Sequence, residues 1–291
     1  MSVPARPAPL FADIDDVSRR LAETGYLPDT ATATAVFLAD RLGKPLLVEG
    51  PAGVGKTELA RAVAQATGSG LVRLQCYEGV DEARALYEWN HAKQILRIQA
   101  GSGDWDQTKD DVFSEEFLLQ RPLLTAIRRT EPTVLLIDET DKADIEIEGL
   151  LLEVLSDFAV TVPELGTLTA ERAPFVLLTS NATRELSEAL KRRCLFLHID
   201  FPSPDLERRI LLSRVPELPA HLAEELVRII GVLRGMQLKK APSIAETIDW
   251  GRTLLALGLD TIDDAVVAQT LGVVLKHQSD QQRAAGELRL N

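Results

Sequence analysis

At 291 residues the chain exceeds what one hydrophobic core usually organises, so one large domain with a smaller companion, or two of middling size, is expected. With 45% hydrophobic and 26% charged residues, the composition is globular and excludes a largely disordered chain. A formal charge of −12 speaks against a protein whose main task is to coat nucleic acid or an anionic membrane.

The first ten residues are rich in Pro and Ala and lack the apolar stretch of a secretory signal. No run approaches the ~20 apolar residues that span a bilayer. A cytoplasmic protein without membrane insertion is expected. Residues 14–23 and 29–42 carry apolar residues at helical spacing, with Leu21 following Val17, then Ala35, Leu38 and Leu42. Residues 45–49 form a short apolar run entering a Gly-rich turn, which reads as a buried strand. Residues 58–67 are Ala-rich and end at Gly68, predicting a helix; residues 71–76 predict a second strand.

A long excursion follows before the next strong apolar run. Within it 81–89 reads as helical, 94–98 alternates poorly, and 101–104 reads as a turn. Residues 117–129 resume a helix. Runs at 133–138, 175–180 and 194–199 predict three further buried strands, with a helical stretch at 144–155 and a small hairpin of 159–162 against 167–169. Five strands alternating with helices predict an α/β, mainly parallel sheet. At Phe201 the pattern changes. Ser203 and Pro204 suit an N-cap and first helical residue, and beyond them only helical stripes appear, one through Leu222, Leu226, Ile229, Ile230 and Leu233, another through Ile262, Val266, Val267, Leu271 and Val274.

Gly50, Pro51, Ala52, Gly53, Val54, Gly55, Lys56 and Thr57 spell GxxxxGKT between a predicted strand and a predicted helix. Glycines let successive N–H groups turn inward on phosphates, and the helix N-terminus adds partial positive charge. Lys56 would neutralise the β and γ phosphates, and Thr57 would ligate magnesium. The run from Thr133 ends in Asp138 and Glu139. A strand ending beside the P-loop strand would bring Asp138 to the magnesium shell, and Glu139 would orient and deprotonate the attacking water. A nucleoside triphosphate and Mg2+ are therefore the expected ligands.

The order of P-loop, hhhhDE strand, a strand ending in Ser180 and Asn181, then Glu188 to Cys194 and a helical tail, resembles an AAA+ ATPase from about residue 25 onward. The resemblance implies a P-loop NTPase fold with a five-stranded, mainly parallel sheet over 26–201, an N-terminal arm and helix over 1–25, an insert at about 80–115, a hairpin at about 159–170, and an all-α lid over 202–291. It also implies hydrolysis of ATP to ADP and phosphate, with Asn181 as the polar "sensor 1" residue that places the lytic water. Arg193, with Arg192 in reserve, would be the finger acting in trans on a neighbouring subunit, so that a homo-oligomeric ring, by likeness a hexamer, completes the site.

The excursion, the hairpin and the short lid are similar to the MoxR family. Leu74 to Gly79, Tyr87 to Asn90, and Pro242 to Trp250 look like the subgroup encoded with carbon monoxide dehydrogenase accessory genes, the CoxD type. The resemblance implies a chaperone or remodelling factor for enzyme maturation or metal-centre assembly, a protein client and a partner with a von Willebrand factor A (VWA) domain, while the −12 charge leaves no nucleic-acid partner expected. Relatives carry a "sensor 2" arginine where this chain has Ala245; Ser243 and Glu246 keep the capping box there, and Lys239 or Lys240 is an alternative cation. A nucleotide-dependent adaptor with little turnover and an AAA+ DNA motor or loader are the rival readings.

Weaker signals point to packing. Tyr26 and Leu27 precede the first full helix, where adenine contacts occur in AAA+ proteins, although packing at the helix entry explains them equally well. Thr108 to Asp111 mimics a guanine-reading TKxD but sits in the insert and reads as a solvated charge run. His91, His198, His221 and His277, like Cys76 and Cys194, lack metal-ligand spacing. Trp89 and Trp250 suit core or interface, and Trp105 is the candidate for an exposed partner contact.

Overall fold

The computed structural model describes residues 8–100 and 111–288. Two helices, α1 (Ile14–Glu23) and α2 (Thr30–Leu42), precede β1 (Leu46–Glu49), α3 (Lys56–Thr67) and β2 (Gly70–Gln75). The insert holds α4 (Glu82–Ala85), β3 (Tyr87–Trp89), α5 (His91–Ala100) and β4 (Leu118–Gln120), after which α6 (Pro122–Arg128) leads to β5 (Thr133–Asp138). Then come α7 (Ile145–Asp157), the hairpin β6 (Ala159–Val162) and β7 (Gly166–Thr169), β8 (Phe175–Ser180), α8 (Glu188–Arg193) and β9 (Leu195–His198). The remainder is helical: α9 (Pro204–Arg214), α10 (Ala220–Gly235), α11 (Ile244–Ala256), α12 (Asp264–Val274) and α13 (Gln278–Glu287).

The five main strands form one sheet in the order β2-β5-β8-β1-β9, and every pairing is parallel. The apolar runs of the three inner strands, β5, β8 and β1, follow from burial on both faces, whereas the edge strands β2 and β9 are only partly buried. In β5, Leu135 and Ile137 join the core with α6 and α7, whereas Val134 and Leu136 join the one with α1, α2 and α3. A third core, built on α9 to α13 around fully buried Trp250, belongs to the helical tail. The Trp250 Nε1 donates to Thr270 Oγ1 at 2.8 Å, so this tryptophan is core.

Parallel strands place all their carboxyl ends at one edge, where α/β proteins hold ligands. The order also corrects one expectation: β5 does not lie beside the P-loop strand, because β8 intervenes. Asp138 is reached from the P-loop through α3, whose first turn lies over the end of β5.

The insert departs from the sequence reading. Residues 81–89 are one helical turn and then β3, and 117–129 opens with the end of a 3-10 turn (Glu115–Phe117) and β4 before Pro122 starts α6. The two strands pair antiparallel, with Tyr87 opposite Gln120 and Trp89 opposite Leu118. Such a pairing joins segments about thirty residues apart, beyond the reach of local periodicity. Conversely, 91–100 is a regular helix. Its apolar Ile95, Leu96 and Ile98 are exposed, while Gln94 turns inward to donate to the Val112 carbonyl at 2.8 Å, so its pattern is inverted. Trp89 packs edge-on against Phe113. Trp105, the 101–104 turn and most of the TKxD stretch lie outside the described residues.

Candidate functional site

The turn between β1 and α3 has Gly53 at φ 78° and Gly55 at φ 99°, a left-handed backbone that side chains disfavour. Gly50 is required for a different reason: a Cβ there would lie 1.9 Å from the carbonyl oxygen of Ile199. Lys56 is buried, and its Nζ donates to the carbonyls of Gly50 and Pro51 at 2.6 and 2.7 Å and to Asn181 Oδ1 at 2.8 Å. Burial pulls its pKa down, while Asp141, Asp138, Glu139 and Glu49 act in the opposite direction. A buried ammonium held only by neutral oxygens, with carboxylates around it, suits the approach of an anion.

The Lys56 contact also fixes the Asn181 amide. An ammonium has no acceptor, so Oδ1 must face it, and Nδ2 is left as a donor without a partner among the described residues.

At the end of β5, Asp138 is 2% exposed. Its Oδ1 accepts from Thr57 Oγ1 at 2.9 Å and Thr179 Oγ1 at 2.6 Å, and its Oδ2 accepts from Arg73 Nη2. Glu139 sits at φ 56°, a strained backbone for a residue with a side chain, held there by its N–H donating to Thr179 Oγ1 at 2.8 Å. The Glu139 Oε2 accepts from Gln75 Nε2 at 2.8 Å and Lys142 Nζ at 2.7 Å. Thr57 and Asp138 thus set a hydroxyl beside a carboxylate, a donor set that would fit a magnesium ion, and the left-handed glycine turn would fit phosphates.

Sequence reasoning missed three residues here: Thr179, Asp141 and Arg73. Asp141 is 3% exposed and accepts from the Asn181 N–H, the Thr183 N–H and Thr183 Oγ1 at 3.2, 3.0 and 2.6 Å. Burial raises its pKa, but the Thr183 and Asn181 hydrogen bonds outweigh that and hold it below the ordinary value. An Asp three residues beyond the strand-end acid was the available signal for it. Arg73 lies on β2 with no pattern around it.

A cleft of about 830 Å³ opens from the P-loop, lined among others by Tyr26, Gly53, Phe201, Ala245 and Arg252, a volume suited to a nucleotide. Burial and then Asp29 and Glu58 push the Tyr26 phenol up, so it stays neutral. Ala245, at the position where a sensor 2 arginine is expected, lines the cleft. Neither Lys239 nor Lys240 lines it, and the Lys240 ammonium is engaged by Glu246 at 3.1 Å. Arginines at the cleft are Arg61, Arg214 and Arg252 instead. Arg192 and Arg193 end α8, both exposed and making no hydrogen bond or ion pair among the described residues. Cys76 and Cys194 are buried thiols pushed up to about 12 by burial, hence unreactive. No group of three metal-ligating side chains occurs among the described residues, and no helix there is long and apolar enough to cross a membrane.

Residues 45–194 match the AAA domain of the dynein-related subfamily. The chain belongs to that family. Around the AAA domain the likeness extends further: the chain is 28% identical over 295 residues to the uncharacterized protein YehL of Escherichia coli K12, covering 94% of this chain and 73% of YehL. It is 24% identical to the uncharacterized protein SH1500 of Staphylococcus haemolyticus over 89% of this chain and 94% of that protein. A 34% identity to chaperone protein ClpB 2 of Thermosynechococcus vestitus covers 48% of this chain but 14% of ClpB 2. Among solved structures, a mutant of Thermotoga maritima RuvB superposes with a TM-score of 0.52 at 18% identity, over 98% of this chain and 86% of that one, which shows the shared fold.

Proposed function

We propose that this AAA domain protein is a magnesium-dependent ATPase of MoxR type that hydrolyses ATP at the subunit interfaces of a ring and couples the cycle to remodelling a protein client. The observation that carries the reading is the convergence of Lys56, Thr57, Asp138, Glu139 and Asn181 at the carboxyl edge of one sheet, beside a nucleotide-sized cleft. Magnesium, when bound, supplies Lewis-acid polarisation of phosphate oxygens. Lys56 contributes a positive charge between the β and γ positions and holds Asn181 by its Oδ1, which leaves Nδ2 free to place a water. Glu139 has Oε1 without a partner among the described residues and serves as the base for water, with Thr179 fixing its backbone. Arg193, on the outer surface, acts on a neighbour's site.

Glu139→Gln is expected to bind ATP as wild type does and to release phosphate at least ~100-fold more slowly, within the range general-base removal produces. Equal steady-state phosphate release would overturn the assignment. The two ties on Glu139 Oε2 favour one second reading, an assembly adaptor that binds ATP with little turnover; wild type that binds ATP but releases no phosphate, with or without partner, would establish it. The MoxR assignment, and within it the CoxD-type subgroup, is supported by the insert motifs and the β6–β7 hairpin. It carries the expectation of a client in enzyme maturation and of a VWA-domain partner. The Glu139→Gln protein held in ATP, isolated with its co-purifying proteins and weighed, tests ring and partner together.

A further inference from the structure

Arg73 stands outside every role assigned above, yet it ends on the buried carboxylate at the centre of the site. It lies on β2 two residues before Gln75, whose Cα is in register with Asp138, so an arginine side chain has to climb along the strand by about two residues, ~7 Å, to arrive there. It does so: Nη2 sits 2.5 Å from Asp138 Oδ2 and also contacts Gln75 Oε1. Because Thr57 and Thr179 both occupy Oδ1, Oδ2 is the carboxylate oxygen left to face a metal shell, and Arg73 covers it. The two ends of the pair differ in exposure, 43% for the Arg73 side chain and 3% for Asp138. The guanidinium can therefore leave for solvent, while the carboxylate cannot. Lys56, the nearest other cation from the P-loop, is committed to two carbonyls and Asn181 and does not touch Asp138.

We infer that Arg73 is a specificity determinant that excludes bare divalent cations from the site and admits them only as the metal–nucleotide complex. The inference rests on the reading of Thr57 and Asp138 as the metal site. A buried carboxylate without a counter-ion is costly, and the guanidinium supplies one when no metal is present. A divalent ion and a guanidinium repel each other at one oxygen. A free ion therefore has to displace Arg73 with little in return, since Thr57 and one carboxylate oxygen are all the protein offers it. A nucleotide-bound ion brings phosphate oxygens that the P-loop and Lys56 hold, and that added binding displaces the arginine. Once displaced, the exposed guanidinium remains solvated beside the phosphates.

The test uses the full chain and Mn2+ as the probe, followed by electron paramagnetic resonance. In wild type without nucleotide, Mn2+ is expected not to bind at Asp138 below the millimolar range; tight binding of bare Mn2+ that Thr57→Ala removes would overturn the inference without any arginine variant. Arg73→Gln, which keeps a hydrogen-bond donor and removes the charge, is expected to bind bare Mn2+ about tenfold or more tightly than wild type, with the gain abolished by adding Thr57→Ala. Arg73→Lys is expected to keep most of the exclusion and replaces the Gln variant if that one does not fold. An Arg73→Gln protein that melts like wild type and binds bare Mn2+ no better overturns the inference, as does a gain insensitive to Thr57→Ala. A fluorescent ATP analogue titrated into wild type with Mg2+ reports separately on the parent reading: no binding there removes the nucleotide site itself, whereas binding with unchanged Mn2+ exclusion in the variant removes only the role of Arg73.

Discussion

One hydroxyl, that of Thr179, accepts from the Glu139 N–H and donates to Asp138, so it holds both strand-end acids at once. Thr179→Val keeps the shape and deletes both bonds inside a 1% exposed position, which should cost about 1–3 kcal/mol in chemical unfolding and weaken magnesium-dependent nucleotide binding. Asp141 offers a pH test. Its folded pKa lies below the ordinary 3.8, so ionised Asp141 stabilises the fold at neutral pH and that contribution fades as pH falls below 3.8 through the depressed folded value. Asp141→Asn should therefore be less stable than wild type at pH 7, and the gap should narrow only in strong acid, as urea titrations across that range would show. The legibility of these residues differs for a physical reason. Lys56, Thr57, Asp138 and Glu139 stand in a fixed local order around tight turns, so their spacing alone announced them. Thr179, Asp141 and Arg73 reach the site from different strands and loops by folding, and Thr179 reads in sequence as one more β-branched strand residue.

At the scale of elements, one buried ion pair knits three helices of the tail together, and its arginine also covers the Phe201 ring after β9. Glu207 on α9 accepts from Arg234 on α10 at 2.5 and 2.8 Å and from Thr247 Oγ1 on α11 at 2.7 Å, and the Arg234 guanidinium lies 4.3 Å from the centre of the Phe201 ring. Removing one partner leaves a charge stranded at a 2% exposed side chain. Arg234→Ala should lose about 3–5 kcal/mol, while Arg234→Met combined with Glu207→Leu should lose much less, a comparison that chemical unfolding reads directly. The helices around this pair were visible in sequence because their apolar stripes repeat at helical spacing and their caps are conventional, Ser203 and Ser243 each accepting from a backbone N–H three residues on. The insert was not. There a strand pairing joins distant segments, and α5 turns its aliphatic residues outward, so the local signals that mark an element were missing or reversed.

For the whole molecule, the sheet order matters more than the inventory of strands. With β8 between β1 and β5, Asn181 stands between the P-loop and the two acids, and a single copy assembles all of these from its own chain. Arg193 is the exception, since it is exposed at the C-terminal end of α8 and free of partners among the described residues. If it completes a neighbour's site, Arg193→Ala and Lys56→Ala, each inactive alone, should regain a part of the phosphate release when mixed, and no recovery at any ratio would count against an interfacial site. The contact between Gly53 and the start of α11 has a mechanical consequence. A Cβ on Gly53 would stand 2.4 Å from Ser243 Oγ, so the phosphate loop and the lid helix meet with no side chain of the loop between them. The absent methyl is a clearance, as in a close-fitting bearing. A side chain on the loop at this point would have to push the start of α11 away.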